Sequence, residues 1–259
     1  MLDALRLSLG TFSVLPAGHP ITVDRRTWGQ ALAIAPVVGL VLGSIAWAGA
    51  FGVTELSDAP LLGAVTGIAA LAVLTRGLHL DGLADVADGL GSGRPPEQAR
   101  EVMKRSDIGP FGVITMVLVL LIQVAALDQL LATHPQGPSA VALIGAAVVS
   151  RAAMAFTCRK GVPAATPDGL GAQAAECLSP PLAVAVAAGS LALVTGAAAL
   201  GATDAVAPAA ISATLALVAA EIWRRHCSAR FGGITGDVLG SVEQVAFTAF
   251  LVWLALFLP

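Results

Sequence analysis

Residues 111–131 read FGVITMVLVLLIQVAALDQLL, and Asp128 is the only charged residue among them. An α-helix needs about 20 mostly apolar residues to cross the hydrocarbon core of a bilayer. This stretch therefore predicts a membrane-spanning helix. The composition of the whole chain supports the same class, since hydrophobic residues make up 56% of it and charged residues only 12%. A soluble domain carries about twice that charged fraction.

Six further stretches are also long and apolar, so the sequence predicts an all-α, polytopic transmembrane bundle of about seven spans. The predicted spans are residues 30–53, 60–77, 111–131, 138–157, 181–201, 205–222 and 242–258. A shorter apolar segment, residues 2–15, either lies at the membrane interface or folds back into the protein. Residues 1–259 are predicted to form one integral-membrane domain.

The charged residues divide the connections between spans into two sets. All 14 Lys and Arg residues fall in one set, which comprises residues 1–29, 76–110, 151–180 and 223–241. None falls in the other set, which comprises residues 54–59, 132–137 and 202–204. Because basic loops remain cytoplasmic, this pattern predicts a bacterial inner-membrane protein with its N-terminus inside and its C-terminus outside, towards the periplasm.

Composition and charge also argue against a transporter, a nucleic-acid-binding protein and a zinc or disulfide-rich protein. A transporter would carry charge near the middle of its spans, whereas here the polar residues gather on the cytoplasmic face. The net charge of −3 argues against a nucleic-acid-binding protein. No CxxC pair occurs among Cys158, Cys177 and Cys227, so neither a zinc site nor a disulfide framework is predicted. Membrane lipid is an expected partner, and the sequence leaves a homo-oligomer open.

The richest polar motif is RGLHLDGLADVADG, residues 76–89. Asp81, Asp85 and Asp88 are spaced i, i+4 and i+7, which places three carboxylates on one face of a helix. A bound cation would relieve their repulsion, and Mg²⁺ suits them because it bridges carboxylates to substrate phosphates. The alternative is a solvated acidic face, although the flanking residues are mostly apolar. A softer metal is less favoured, because His79 is the only nearby nitrogen ligand.

A second motif, MKRSDIGPFG, occupies residues 103–112. Lys104 and Arg105 are candidates to bind phosphate, and Asp107 is a candidate fourth metal ligand. Ser106 adds a hydroxyl between them. The alternative is that these cations only anchor the third span at the membrane surface.

A third motif, RFGGITGDVLG, occupies residues 230–240 and is followed by Glu243. Closely spaced glycines can present backbone N–H groups to an anion, with a hydroxyl and a carboxylate beside them. The candidate binding residues of this motif are Gly232, Gly233, Thr235 and Asp237. Glu243 begins a span and therefore needs a partner or a cavity. Arg151, at the inner end of the fourth span, is either a phosphate contact or an anchor.

The string HLDGLADVADG, residues 79–89, resembles the signature of the cobalamin synthase family, also called adenosylcobinamide-GDP ribazoletransferase. Residues 11–16 resemble its N-terminal element, and the later motifs follow in the family's order, so the resemblance covers nearly the whole chain. It implies a Mg²⁺-dependent transferase that joins adenosylcobinamide-GDP to α-ribazole or its 5′-phosphate and releases GMP. These are the last steps of cobalamin biosynthesis.

The resemblance also implies roles for individual residues in a single catalytic domain. The active site would be built from the cytoplasmic loops 76–110, 151–180 and 223–243. The metal would be held by Asp81, Asp85, Asp88 and Asp107. A ribose hydroxyl would be deprotonated by His79 or by one of these carboxylates. Substrate would contact Thr11, Lys104, Arg105, Ser106, Arg151, Gly232, Gly233, Thr235, Asp237 and Glu243.

Two departures from the family pattern bear on these roles. An acid and a base have exchanged places around Ser106, so the family's acid at position 105 is replaced by Asp107 or has no counterpart. The N-terminal element also has Ser13 or a neighbour where arginine is common. The nearest alternative is a CDP-alcohol phosphotransferase, but that pattern requires an Ala-Arg pair where residues 90–94 read LGSGR. A transporter is less favoured still.

Overall fold

A computed structural model of the protein describes residues 1–258, and its regular structure is helical. The helices are α1 (Leu2–Phe12), α2 (Arg25–Ser57), α3 (Pro60–Leu74), α4 (Leu78–Gly91), α5 (Pro96–Met103), α6 (Pro110–Thr133), α7 (Gly137–Thr157), α8 (Gly169–Ala174), α9 (Pro180–Gly201), α10 (Val206–Phe231) and α11 (Gly236–Phe257). Within residues 1–258 the only β-structure is two isolated bridges, Arg159 with Leu178 and Ala164 with Ile234. The predicted all-α bundle is confirmed.

Six helices are each long and apolar enough to cross a membrane, namely α2, α6, α7, α9, α10 and α11. The remaining predicted span, residues 60–77, corresponds to α3, which ends earlier, at Leu74. The chain then turns by 88° into α4. Arg76 and Gly77 form this corner with φ angles of 56° and 67°. The bundle therefore has six helices of spanning length and a seventh, shorter helix that bends into the aspartate motif.

Helix α7 lies at the centre of the bundle, and most of its side chains are buried. Its many small residues let neighbouring helices approach closely. A Cβ added at Gly43 of α2 would lie 2.9 Å from the Cα of Ile144, and one added at Gly39 would collide with the carbonyl oxygen of Ala147. The closeness of α2 and α7 therefore depends on these two glycines.

Helix α1 folds back against the protein, as one of the two alternatives for the N-terminal segment predicts. Its Leu7 and Phe12 are buried. The N–H of Val14 donates to the carbonyl of Leu74 at 2.8 Å, and Arg76 donates to the carbonyl of Gly10 at 2.8 Å. Helix α1 is therefore joined to the corner between α3 and α4.

The connections that contain the Lys and Arg residues contact one another and therefore lie on one face of the bundle, the basic face. These connections are residues 1–29, 76–110, 151–180 and 223–241. Arg25, before the first span, donates to the carbonyl of Ala175 at 2.8 Å. Arg100 and Arg230 join the segment after α4 to the end of α10. The bridge between Ala164 and Ile234 joins the connection after α7 to that before α11. The polar motifs of the sequence therefore meet in three dimensions.

Candidate active site

Helix α4 carries the three aspartates of the first motif, as their spacing predicts. Their exposure falls along the helix, because Asp81 is exposed, Asp85 is half-buried and Asp88 is buried. Helix α4 runs nearly perpendicular to α3 and therefore does not continue the direction of that helix. The three carboxylates therefore have different surroundings and are not chemically equivalent.

Helix α4 crosses the first turns of α11 at a pair of glycines. A Cβ added at Gly82 would lie 2.8 Å from the carbonyl oxygen of Asp237 and 3.2 Å from the Cα of Gly240. This close crossing brings the carboxylate of Asp237 near Asp85. Burial, and then the neighbouring charges of Asp237, Asp81 and Asp88, raise the pKa of Asp85 to about 7. Asp81, Asp85 and Asp237 therefore form an acidic cluster, in which Asp85 is only partly ionised near pH 7.

Asp88 binds the N-terminus of α6. Its carboxylate accepts hydrogen bonds from the N–H groups of Gly109 and Gly112, at 2.7 Å and 2.9 Å. A carboxylate is favoured there because it satisfies free N–H groups and complements the helix dipole. A Cβ at either glycine would collide with the Asp88 carboxylate. Asp88 therefore holds α6 against α4, which the sequence motif did not indicate.

A cleft opens beside Asp237 on the basic face, with an empty volume of about 790 Å³ that includes space open to solvent. It is lined by residues of α5, α8, α11 and their connections, including Arg100, Lys104, Thr166, Asp168, Thr235 and Asp237. The cleft thus combines two cations with two carboxylates and two hydroxyls. These are groups that can bind a phosphorylated substrate and a divalent ion together.

The wall of the cleft is held by close backbone contacts between two connections. The N–H of Ile234 donates to the carbonyl of Pro163 at 2.9 Å, and the N–H of Ala165 donates back to Ile234 at 2.9 Å. A Cβ added at Gly171 would lie 2.7 Å from the Cα of Thr235. Gly233 has a φ of 148° and lies against Ala164. The glycines of the third motif therefore pack the wall of the cleft.

Arg151 and Glu243 form a buried ion pair between α7 and α11, with a distance of 3.0 Å. Each side chain is 2% exposed. Ser150 donates to the same carboxylate at 2.8 Å, and Gln244 donates to its other oxygen at 3.0 Å. Gln123 of α6 extends this network by donating to Gln244 at 2.9 Å. Arg151 and Glu243 therefore have partners inside the bundle and do not line the cleft.

His79 lies on the inner side of α4 and borders the same buried cavity as Arg151 and Glu243. It is 2% exposed, and its Nε2 atom has no hydrogen-bond partner. Burial lowers the pKa of His79 to about 4, so its imidazole is neutral near pH 7. Its ring packs near Phe12, with the ring centroids 6.2 Å apart. The residue is thus separated from the cleft.

Several other predicted residues lie on the basic face without lining the cleft. Arg105, Ser106 and Asp107 are exposed in the connection between α5 and α6. Thr11 lies in α1, where its carbonyl accepts a hydrogen bond from Arg76. Of the second motif, only Met103 and Lys104 line the cleft.

Three polar residues of the cleft and of the buried network were not predicted from the sequence. Arg100 had no assigned role, yet it lines the cleft and donates to the carbonyl of Phe231. Asp168 lines the cleft and precedes Gly169, which has a positive φ of 81°. This Asp-Gly pair was the sequence signal for a turn at that point. Gln123 is a polar residue in the middle of an apolar span, which was the signal for a buried network.

The carboxylates suit a Mg²⁺ ion that is shared with a substrate. Among residues 1–258, no three His, Cys, Asp or Glu side chains lie close enough to hold an ion alone. Mg²⁺ usually takes one or two carboxylates together with substrate phosphates. Asp81, Asp85 and Asp237 offer oxygen donors of that kind. Asp88 is less suited, because both of its oxygens already accept backbone N–H groups.

Comparison with known proteins identifies the family. Residues 4–255 match the family described as cobalamin-5-phosphate synthase. Adenosylcobinamide-GDP ribazoletransferase of Frankia casuarinae is 39% identical, with 100% of this chain and 96% of that protein covered. The enzymes of the same name from Nocardioides sp. and Stutzerimonas stutzeri are each 37% identical, over 98% and 97% of this chain and 100% and 97% of their own lengths. No solved structure matches the chain. The chain therefore belongs to the cobalamin-5-phosphate synthase family and is a transferase of cobalamin biosynthesis.

Proposed function

We propose that this protein joins adenosylcobinamide-GDP to α-ribazole or α-ribazole 5′-phosphate, with Mg²⁺, and releases GMP. A ribose hydroxyl would attack a phosphorus atom of the diphosphate. The new bond is a phosphodiester, the bond to GMP breaks, and the hydroxyl proton passes to a base on the protein. The relatives' names supply the substrates, and the cleft on the basic face supplies the chemistry.

One observation carries this proposal, namely the crossing of α4 and α11 at Gly82 and Gly240. It joins the carboxylates of two motifs that are far apart in sequence, beside a cleft that also contains Arg100 and Lys104. Phosphoryl transfer depends mainly on positioning and on neutralising charge. A cleft with both cations and carboxylates provides for a diphosphate and for the metal ion that accompanies it.

The residues divide this work between them. Arg100 and Lys104 would bind the diphosphate and hold it beside the carboxylates. One or two of the carboxylates of Asp81, Asp85 and Asp237 would hold Mg²⁺ together with the diphosphate, and the ion when bound would neutralise charge on the diphosphate and on the leaving GMP. Thr235 would donate a hydrogen bond to substrate from the wall of the cleft.

The proton of the ribose hydroxyl would pass to a carboxylate of this cluster. A general base must come within hydrogen-bond distance of the proton that it takes. His79 is 2% exposed and borders the internal cavity, so a substrate in the cleft would not reach it without a rearrangement. Asp81 and Asp85 are the more accessible groups.

The cleft would face the cytoplasm, from the inner membrane of a bacterium. All 14 Lys and Arg residues lie in the connections of the basic face or directly beside them, and basic connections stay on the cytoplasmic side. The proposed substrates are water-soluble and would reach the cleft from that side.

Release of GMP by the purified, reconstituted protein tests the reaction. Adenosylcobinamide-GDP, α-ribazole and Mg²⁺ should yield GMP and adenosylcobalamin, whereas CDP-diacylglycerol should yield no CMP. Asp85→Asn should lower the rate by roughly 10²-fold or more, as expected for loss of a metal-binding or proton-accepting group. Glu97→Gln, an exposed change on α5 of the same face, is the matched control. Release of CMP without release of GMP would refute the proposal.

Removal of the metal ion tests the role of Mg²⁺ separately. Chelation should abolish the reaction, and added Mg²⁺ should restore it. Mg²⁺ with the diphosphate substrate should also raise the thermal stability of the protein, because a ligand that binds only the native state stabilises it. Asp81→Asn and Asp237→Asn should reduce that shift. If both variants kept the full rise in thermal stability, neither Asp81 nor Asp237 would contribute to the metal site.

A further inference from the structure

A groove runs between α9 and α10 on the outside of the bundle and shares no lining residue with the cleft. Its empty volume, which includes space open to the surroundings, is about 1100 Å³. Its walls are largely apolar and include Val184, Ala188, Leu191, Leu217, Val218 and Phe156. The small side chains of α9 leave space that the larger side chains of α10 do not fill. The groove is therefore an indentation in the surface that faces lipid.

One end of the groove is basic. Glu221, which lines this end, accepts hydrogen bonds from Arg159, Arg224 and Arg225 at 2.8–2.9 Å. Three guanidinium groups surround one carboxylate, so two positive charges are not balanced within the cluster. The side chain of Arg225 is 72% exposed. An anionic group at the mouth of the groove would therefore meet positive charge that Glu221 does not balance.

The groove has the length of one membrane leaflet. Its lining on α10 extends from Thr214 to Arg225, about 16 Å along the helix axis. The hydrocarbon core is about 30 Å thick, so one leaflet contributes about 15 Å. An acyl chain that begins at the level of Arg225 would thus end near the middle of the membrane, at Thr214.

We propose that this groove binds an anionic glycerophospholipid, with an acyl chain along α9 and α10 and its phosphate beside Arg225. The unbalanced guanidinium groups favour an anionic headgroup over a zwitterionic one. A second copy of the chain is a poorer occupant. A copy in the same membrane orientation would bring its own basic cluster to the same depth, and like charges would meet.

Photo-crosslinking of the full-length protein in nanodiscs tests this site. The probes are phosphatidylglycerol and phosphatidylcholine that carry the same diazirine in one acyl chain, each added in small amount to phosphatidylcholine. The phosphatidylglycerol probe should label peptides covering residues 184–191 and 214–222 about fivefold more than the other, as one guanidinium contact near the surface would give. Mass spectrometry locates the labelled residues.

Two variants separate the acyl and headgroup contacts. Ala188→Phe should fill the groove and remove the labelling of residues 214–222, whereas Ala69→Phe, an exposed alanine on α3, should not. Arg225→Gln should reduce the preference for phosphatidylglycerol to near one, whereas Arg94→Gln, an exposed cation of another connection, should preserve it.

Three results would overturn the proposal. Equal labelling by the two probes would mean that the groove holds ordinary bulk lipid. Unchanged labelling in Ala188→Phe would mean that the acyl chain lies elsewhere. A disulfide-linked dimer of an Ala188→Cys variant, which the unsubstituted chain does not form, would mean that the groove is an oligomer interface.

Discussion

At the scale of single residues, Asp81 and Asp88 show how two carboxylates of one motif acquire different tasks. Asp81 is exposed in the acidic cluster, whereas Asp88 is buried and accepts the N–H groups of Gly109 and Gly112. Their spacing in the sequence is that of equivalent residues on one helical face. The difference arises because α6 begins beside Asp88, which no local pattern reveals.

This difference predicts opposite effects of the two substitutions. Asp88→Ala removes the acceptor for two buried N–H groups and should destabilise the protein by about 2 kcal/mol or more. Asp81→Ala should change stability by less than about 0.5 kcal/mol but should lower GMP release strongly. Denaturant unfolding in detergent and the release assay measure both quantities. A stable but inactive Asp88→Ala variant would instead assign Asp88 to the chemistry.

The buried pair of Arg151 and Glu243 predicts a non-additive double mutant. Glu243→Leu leaves the charge of Arg151 without its partner and should cost about 3–5 kcal/mol of stability. Arg151→Met in the same chain removes that charge, so the double variant should be more stable than Glu243→Leu alone. The free energies of unfolding of both single variants, the double variant and the unsubstituted protein complete a double-mutant cycle. Additive losses would show that the two side chains do not interact.

At the scale of elements, the position of the cluster depends on how α4 leaves α3 and crosses α11. The apolar run of residues 60–77 predicted one span, and the structure instead ends α3 at Leu74 and turns by 88°. Sequence hydropathy could not show this corner, because it depends on the backbone of Arg76 and Gly77 and on the contact with α1. The helical face of the aspartates could be predicted, since it follows from local spacing alone.

The α4–α11 crossing predicts that a single methyl group impairs catalysis. Gly82→Ala places a Cβ 2.8 Å from the carbonyl oxygen of Asp237, so the helices must move apart. A shift of about 1 Å between catalytic groups can cost about 10²-fold in rate. Gly52→Ala on α2 has no atom within 4 Å of the added Cβ and is the control. Equal rates in the two variants would mean that the separation of α4 and α11 does not matter.

At the scale of the whole molecule, the distribution of charge allowed the basic face to be predicted. Hydropathy located the spans, and the loops with Lys and Arg then had to share a side. The partners across that face could not be predicted, because they join residues far apart in the chain. Glu243 was expected to need a partner or a cavity, and the structure pairs it with Arg151 between α7 and α11, a contact that depends on helix packing.

The same distribution of charge predicts which face meets the cytoplasm. Ser57 is exposed at the end of α2, on the face without Lys or Arg, and Glu97 is exposed on α5, on the basic face. A membrane-impermeant maleimide should label Ser57→Cys in spheroplasts and should label Glu97→Cys only after lysis, with the unsubstituted chain giving the background. Labelling of Glu97→Cys in intact spheroplasts would reverse the orientation. The basic connections would then have crossed the membrane against their usual preference. The cleft, which lies on the basic face, would face away from nucleotide substrates in the cytoplasm.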